Sequence, residues 1–139
     1  MLTLNRLLLY ILLLLIISNV KAQQLWSDAT TWPGGIKPQA MQNVTIPMGT
    51  TIILDEDPPV LGGITILGTL EFARKNTNLT CAWMMVHGTL QIGTPQQPFT
   101  HKAIITLNGE VNENVMGMGS RGIMVMGGKL ELHGATEGL

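Results

Sequence analysis

Apolar and polar residues alternate in short runs along most of this chain, and each run has a glycine near its middle. Alternation with a period of two is typical of β-strands, because successive side chains of a strand point to opposite faces. From residue 23 onward, no long stretch has the three- and four-residue spacing of an amphipathic helix. The pattern therefore predicts an all-β protein.

These runs repeat at a nearly constant interval. The glycines at positions 49, 68, 88, 109 and 127 are separated by 19, 20, 21 and 18 residues. Such a period indicates stacked units that bury one another's apolar faces. We therefore predict a right-handed parallel β-helix, or β-solenoid, of about five coils, with Gly68, Gly88 and Gly109 at corners. A β-sandwich is the alternative, although no Asn-Gly or Asp-Gly doublet joins adjacent runs at hairpin spacing.

Alignment of the copies on their glycines assigns side chains to columns. The predicted core columns are Ile64/Met84/Ile105/Ile123, Ile66/Val86/Leu107/Val125 and Leu70/Leu90/Val111/Leu130. Glu71 and Glu131 fall in an outward column three coils apart, about 14 Å at the strand spacing. This separation is too large for the paired carboxylates of a glycosidase. Residues 25–38 are predicted to cap the N-terminal end, whereas the C-terminal end is predicted to be uncapped.

The first 22 residues have the pattern of a cleavable secretory signal peptide. Arg6 precedes an apolar run from Leu7 to Ile17, and Val20-Lys21-Ala22 provides small residues at a cleavage site. The apolar run is shorter than the ~20 residues of a membrane span. We therefore predict a domain at residues 23–139 that is secreted, or periplasmic in a bacterium, and does not contact a membrane after cleavage. We also predict that it is the front part of a longer protein.

Composition narrows the possible functions. The chain is 45% hydrophobic and 12% charged, with a net charge of -1, which argues against disorder and against nucleic-acid binding. A single cysteine excludes a disulfide framework within one chain. The three histidines lack zinc-site spacing, and the Gly-x-Gly-x-x-Gly spelling at residues 117–122 precedes a strand and not a helix. We predict no metal and no cofactor.

The arrangement of these residues resembles the G8 domain, an extracellular module named for eight glycines. It occurs in hyaluronan-degrading proteins and in fibrocystin-like proteins. The matching stretches are residues 25–28, 32–35, 43–49, 52–55, 68–72, 88–95, 97–99, 102–109 and 130–134. The resemblance implies an all-β module beside or at the start of a parallel β-helix, in proteins that meet glycosaminoglycans or other extracellular ligands.

The leading functional hypothesis is a non-catalytic module that recognises a hyaluronan-like carbohydrate or docks onto a downstream catalytic β-helix. The candidate ligand contacts are Trp26, His87, His101 and Arg121, since sugars favour aromatic faces and hydrogen-bonding tips. One alternative is a fragment of a hyaluronan-degrading glycosidase, and another is a structural or adhesion module. No catalytic residue is assigned.

Two further kinds of site follow from local sequence. Asp55 and Asp57 belong to an acidic cluster that could hold a hard cation or supply an acid, although a solvated turn is the simpler interpretation. Asn43 and Asn78 begin Asn-x-Thr triplets, the acceptor sequence for N-glycosylation in a eukaryotic host. Asn78 lies in a polar loop and is the better of the two acceptors.

Overall fold

The computed structural model describes residues 3–4 and 23–136. The predicted signal peptide lies almost wholly outside these residues, and its cleavage stays a prediction. None of the described residues belongs to a helix long and apolar enough to cross a membrane.

The alternating runs form ten β-strands within the described residues, and every pairing between these strands is parallel. The strands are β1 Gln23–Leu25, β2 Val44–Ile46, β3 Thr51–Leu54, β4 Leu61–Ile66, β5 Thr69–Phe72, β6 Thr77–Val86, β7 Thr89–Ile92, β8 Ala103–Leu107, β9 Ile123–Val125 and β10 Lys129–Leu132. Short 3-10 turns lie at Ala29–Thr31, Pro33–Gly35 and Val115–Gly117.

The strands divide into two open sheets. Sheet A has the order β1-β3-β5-β7-β10. Sheet B has the order β2-β4-β6-β8, and β9 also pairs with β6. The chain passes from sheet B to sheet A through two-residue bends such as His87-Gly88. Successive strands of each sheet therefore come from successive copies of the repeat.

The core lies between the two sheets. Each sheet turns one apolar row inward, as the alternation predicts. From sheet B these residues include Ile46, Ile64, Ile66, Met84 and Val86, and from sheet A they include Ile52, Leu54, Leu70, Phe72 and Leu90. All of them are buried in one contiguous cluster. Two packed sheets with a shared apolar interior make a sandwich-like fold.

The prediction of a five-coil β-solenoid is therefore wrong. Five equal coils would each add one strand to each sheet, but the fourth copy adds β8 to sheet B and nothing to sheet A. β10 pairs directly with β7 instead. The two packed sheets fit the sandwich alternative, although their strands are parallel and are not joined as hairpins.

The predicted core columns are wrong where the fourth copy enters. Ile105 lies opposite Leu79, not Met84, and Leu107 lies opposite Cys81, not Val86. The partner of Met84 is Ile123. Val111, assigned to the core, is 74% exposed. The physical reason is that β6 is ten residues long, so its first half can pair with β8 while its second half pairs with β9.

The glycines at the bends are required by close approach of neighbouring strands. A Cβ atom at Gly88 would lie 1.9 Å from the carbonyl oxygen of Gly68, and one at Gly68 would lie 2.2 Å from that of Pro47. Neither residue has a positive φ angle. The absence of a side chain, and not backbone strain, explains glycine at both positions.

The two ends of the sandwich differ. At the first end, Trp26 and Trp32 form an edge-to-face pair with ring centroids 4.7 Å apart, and the Trp32 indole donates to the Trp26 carbonyl. Both rings are buried. At the other end, Leu130 and Leu132 of β10 remain 41% and 54% exposed. The last strand of sheet A therefore presents apolar side chains to solvent.

Candidate functional site

A gap in sheet B creates the most distinctive surface of the molecule. β8 runs along the first half of β6, and the chain leaves the sheet after Gly109, whose N–H donates to the Ala82 carbonyl. The chain returns at Gly122, whose carbonyl accepts from the Met84 N–H before β9 begins. Trp83 is the residue of β6 at this gap. The excursion between Gly109 and Gly122 forms a wall beside it.

The indole of Trp83 lies over a strand that has no side chains at this point. Gly63 is the register partner of Trp83 on β4. A Cβ atom built on Gly63 would fall 2.0 Å from Cζ2 of the indole. The six-membered ring therefore occupies the space that a side chain at position 63 would take. Trp83 is only partly buried, so its ring forms part of the surface.

The Trp83 groove is a cavity of about 470 Å³. It is lined by Met41, Asn43, Gly62, Gly63, Ala82, Trp83, Asn108, Gly109, Glu110, Glu113, Asn114 and Val115. Three amides and two carboxylates thus surround one aromatic ring. Among the residues the structure describes, no Lys, Arg or His side chain lines it.

Two hydrogen bonds hold polar groups of the groove in place. The Asn43 Oδ1 atom accepts from the Gly63 N–H at 2.7 Å. On the opposite wall, Asn114 Oδ1 accepts from the Gly119 N–H at 3.3 Å. The Asn43 amide nitrogen is not used in this contact. Its N–H groups are therefore suited to donate to a ligand oxygen.

A second, smaller cavity of about 300 Å³ lies on the outer face of sheet A. Its lining includes Gln91, Lys129, Glu131 and His133. The His133 Nε2 atom is 2.9 Å from Glu131 Oε2. This hydrogen bond lowers the pKa of the Glu131 carboxyl. Glu131 is therefore held in its ionised form, which is the opposite of what a general acid in a glycosidase requires.

The observed strand pairing makes the distance between Glu71 and Glu131 shorter than predicted. Glu71 lies opposite Gln91, and Gln91 lies opposite Glu131. The glutamates are therefore two strands apart, about 10 Å at the strand spacing, and not three. The predicted separation of about 14 Å is wrong because the fourth copy adds no strand to sheet A.

The three carboxylates at residues 55–57 contact three different segments of the chain. Asp55 accepts two hydrogen bonds from Ser27, and Glu56 pairs with Lys37. Asp57 accepts from the backbone and side-chain nitrogens of Asn78, at 2.8 and 2.9 Å. Each carboxylate thus ties a different segment to this turn. Within residues 3–4 and 23–136, no three His, Cys, Asp or Glu side chains form a metal-binding group.

The pKa values of the two aspartates agree with these contacts. Burial raises the pKa of Asp55, but the hydrogen bonds from Ser27 and the charge of Lys75 outweigh it and leave the pKa below its ordinary value. The hydrogen bonds from Asn78 lower the pKa of Asp57. Both carboxyls are therefore stabilised as carboxylates.

The structure does not bring the four predicted ligand contacts together. Trp26 is 1% exposed and belongs to the core. His87 is exposed at a bend after β6, and His101 lies in a loop with its ring against Phe99. Arg121 donates from Nε to the Gly109 carbonyl at 2.6 Å. Of the four, Arg121 alone contacts a residue that lines the Trp83 groove.

Sequence analysis missed Trp83, although a signal for it was present. Gly63 precedes Trp83 by one repeat length, so the repeat itself brings an aromatic residue beside a glycine.

The two predicted glycosylation sites lie on different parts of the surface. Asn43 lines the groove, whereas Asn78 is on β6 at an exposed position bound to Asp57. Modification of either asparagine stays a prediction.

Comparison with known proteins gives the family. The G8 domain matches residues 31–138, which is most of the chain. The chain belongs to the G8 domain family. This finding confirms the resemblance seen in the sequence.

Relatives of this G8 domain include fibrocystin-L from Homo sapiens, which is 37% identical over 113 residues. Fibrocystin from Mus musculus is 30% identical over 127 residues, and protein rliB from Dictyostelium discoideum is 28% identical over 119 residues. These matches cover 78–79% of this chain but only 3% of each fibrocystin-type relative and 11% of rliB. No solved structure matches the chain.

Proposed function

We propose that this G8 domain is an extracellular, non-catalytic module that binds carbohydrate in the Trp83 groove. The observation that carries the proposal is the partly exposed indole of Trp83, which lies over Gly63 and is surrounded by three asparagine side chains. The predicted signal peptide and the family membership support an extracellular location.

The chemistry of the groove suits a sugar ring. A pyranose has apolar C–H faces and a rim of hydroxyl groups, so it needs a flat apolar surface and several hydrogen-bonding groups. Indole provides a large, rigid apolar face. Asparagine amides offer both donors and acceptors, which match hydroxyl groups. Binding pockets commonly combine an aromatic lining with a few convergent polar groups.

The carboxylates of the groove support binding more than hydrolysis. Glu110 and Glu113 are both exposed on the excursion from sheet B. A glycosidase places its two carboxyls on opposite sides of the scissile bond. Here both carboxylates come from the same excursion, and the described residues of the other wall, at positions 41–83, contribute none to the lining. We therefore propose recognition without catalysis.

The direct test is a binding screen of the full 139-residue chain against immobilised glycans, with Trp83→Ala and Met48→Ala variants. Met48→Ala removes an apolar side chain that is 80% exposed and lies outside the groove lining, and it serves as the control. We expect Trp83→Ala to weaken binding by at least tenfold and Met48→Ala to leave it unchanged. Failure of the folded chain to bind any glycan, or binding that survives Trp83→Ala, would contradict the proposal.

The exposed end of the sandwich favours a second candidate function, docking onto another β-domain of a longer protein. Leu130 and Leu132 lie on the inward side of β10 yet are exposed, and within the described residues β10 pairs with β7 alone. A further strand with alternating apolar residues would cover both leucines and form hydrogen bonds with the backbone N–H and C=O groups at the free edge of β10. The test is hydrogen exchange of the β10 amides. Exchange should be slower in the longer protein than in this chain.

A further inference from the structure

We infer that the Trp83 groove selects uncharged oligosaccharides and disfavours polyanionic glycosaminoglycans such as hyaluronan. This inference rests on the proposed carbohydrate function of the same groove. It adds the chemical class of the ligand, which the family membership does not assign.

The first argument is the charge of the lining. Glu110 and Glu113 supply two carboxylates on the excursion that forms one wall. No cationic side chain among the described residues lines the groove to offset them. Neither glutamate has a salt-bridge partner within the described residues, where the ion pairs are Lys37–Glu56 and His133–Glu131. The groove therefore presents net negative charge to a ligand.

The position of Arg121 does not reverse this charge. Its Nε atom is bound to the Gly109 carbonyl at the edge of the groove, and the side chain is not part of the lining. The single positive charge of Arg121 beside the two carboxylates of Glu110 and Glu113 leaves a net negative charge, which is the sign of a glycosaminoglycan. Recognition of carboxylates typically uses arginine forks aimed at the ligand, and the described lining of this groove lacks them.

The remaining polar groups fit neutral ligands. Asn43, Asn108 and Asn114 carry amides, which pair with hydroxyl or acetamido groups without a charge. Glu110 and Glu113 can also accept hydrogen bonds from sugar hydroxyls. An uncharged pyranose on the indole face would therefore satisfy both walls, whereas a uronic acid would place like charges close together.

The expected selectivity follows from Coulomb's law. A ligand carboxylate about 5 Å from one glutamate in water weakens binding roughly fourfold, and approach to both glutamates weakens it roughly tenfold or more. The Debye length is about 8 Å at physiological salt and about 3 Å at 1 M. The discrimination should therefore shrink as salt rises.

The experiment compares the full chain with two hexasaccharides, neutral chitohexaose and anionic hyaluronan hexasaccharide, by calorimetry at low and high salt. A Glu110→Gln/Glu113→Gln double variant removes both charges while keeping side-chain size. Glu71→Gln removes one charge from sheet A and is the control. Circular dichroism of each variant establishes that it is folded.

We expect chitohexaose to bind at least tenfold more tightly than hyaluronan hexasaccharide at low salt. The double variant and high salt should each narrow this ratio, and Glu71→Gln should not. Equal or tighter hyaluronan binding that is lost in Trp83→Ala would overturn the inference but leave the proposed function intact. Binding of neither sugar by folded protein, in a wider neutral glycan screen as well, would overturn both.

Discussion

Replacement of Gly88 by alanine tests whether close approach of the strands holds the sandwich together. A Cβ atom at this position would lie 1.9 Å from the Gly68 carbonyl oxygen and 2.6 Å from that of Leu67. Both atoms belong to the backbone, so a rotamer change cannot relieve the contact. The bend must move by at least about 1 Å, since van der Waals contact requires more than 3 Å.

The free-energy cost can be worked out from the contacts that this movement disturbs. Overpacking costs about 1–3 kcal/mol. The Gly88 N–H donates to Ile66 and the Thr89 N–H donates to Gly68, each at 2.8 Å. Loss of one such bond costs about 1 kcal/mol. Reduced freedom of the unfolded chain offsets about 0.4–1 kcal/mol. We therefore expect Gly88→Ala to lower the free energy of unfolding by about 1–3.5 kcal/mol.

Urea denaturation followed by circular dichroism measures this change, with Gly122→Ala as the control. Gly122 has no neighbouring atom within 4 Å of a built Cβ and no positive φ angle. Its substitution should raise the free energy of unfolding by about 0.4–1 kcal/mol, because reduced freedom of the unfolded chain is the main remaining effect. At roughly 4 °C for each kcal/mol, Gly88→Ala should also lower Tm by about 4–14 °C. Equal stability of the two variants would refute the close-approach argument.

Three further predictions concern single residues. Gly63→Ala should push the Trp83 ring into solvent, because the added Cβ atom would lie 2.0 Å from the indole. The Trp fluorescence emission should therefore shift to longer wavelength. An unchanged spectrum would contradict the packing of Trp83 on Gly63. Although burial raises the pKa of Asp55, the hydrogen bonds from Ser27 leave it below its ordinary value in the folded state. Its stabilising effect is therefore present above the unfolded pKa and is lost as pH falls through the folded pKa. Tm should therefore drop less steeply below pH 4 in Asp55→Asn than in the parent, and parallel curves would argue against this role. Burial raises the pKa of the Cys81 thiol to about 11, so a thiol reagent at pH 8 should react with Cys81 only after denaturation. Fast labelling of the folded protein would contradict this prediction, because it would show that the thiol is accessible.

Local sequence was sufficient to predict strands, because the period-two alternation reflects the geometry of one strand and requires no knowledge of its neighbours. The inward positions Ile64, Ile66 and Leu70 were predicted correctly for the same reason, and all three are fully buried. Trp26 was misjudged as a surface residue. It is buried in the core cluster, where it contacts Trp32 edge to face, and the spacing of the two residues does not reveal this contact.

The candidate groove could be predicted only in part. Glycine at position 63 and tryptophan at position 83 are one repeat apart, so their contact follows from the repeat. The opposite wall does not follow from it. Glu110 and Glu113 reach the groove because the chain leaves sheet B after Gly109, and an alignment on glycines places these residues in a regular strand instead.

The sequence by itself determined the all-β character, the parallel repeat of about 20 residues and the G8 resemblance that the family match confirms. Tertiary structure alone decided which strands are neighbours. Both β8 and β9 fit the alternating pattern equally well, and only the ten-residue length of β6 allows them to share one partner. Strand pairing depends on which backbone groups meet in space, whereas periodicity records only which face of a strand is buried. For this reason the two open sheets, the gap between β8 and β9 and the groove at Trp83 became visible only in the folded chain.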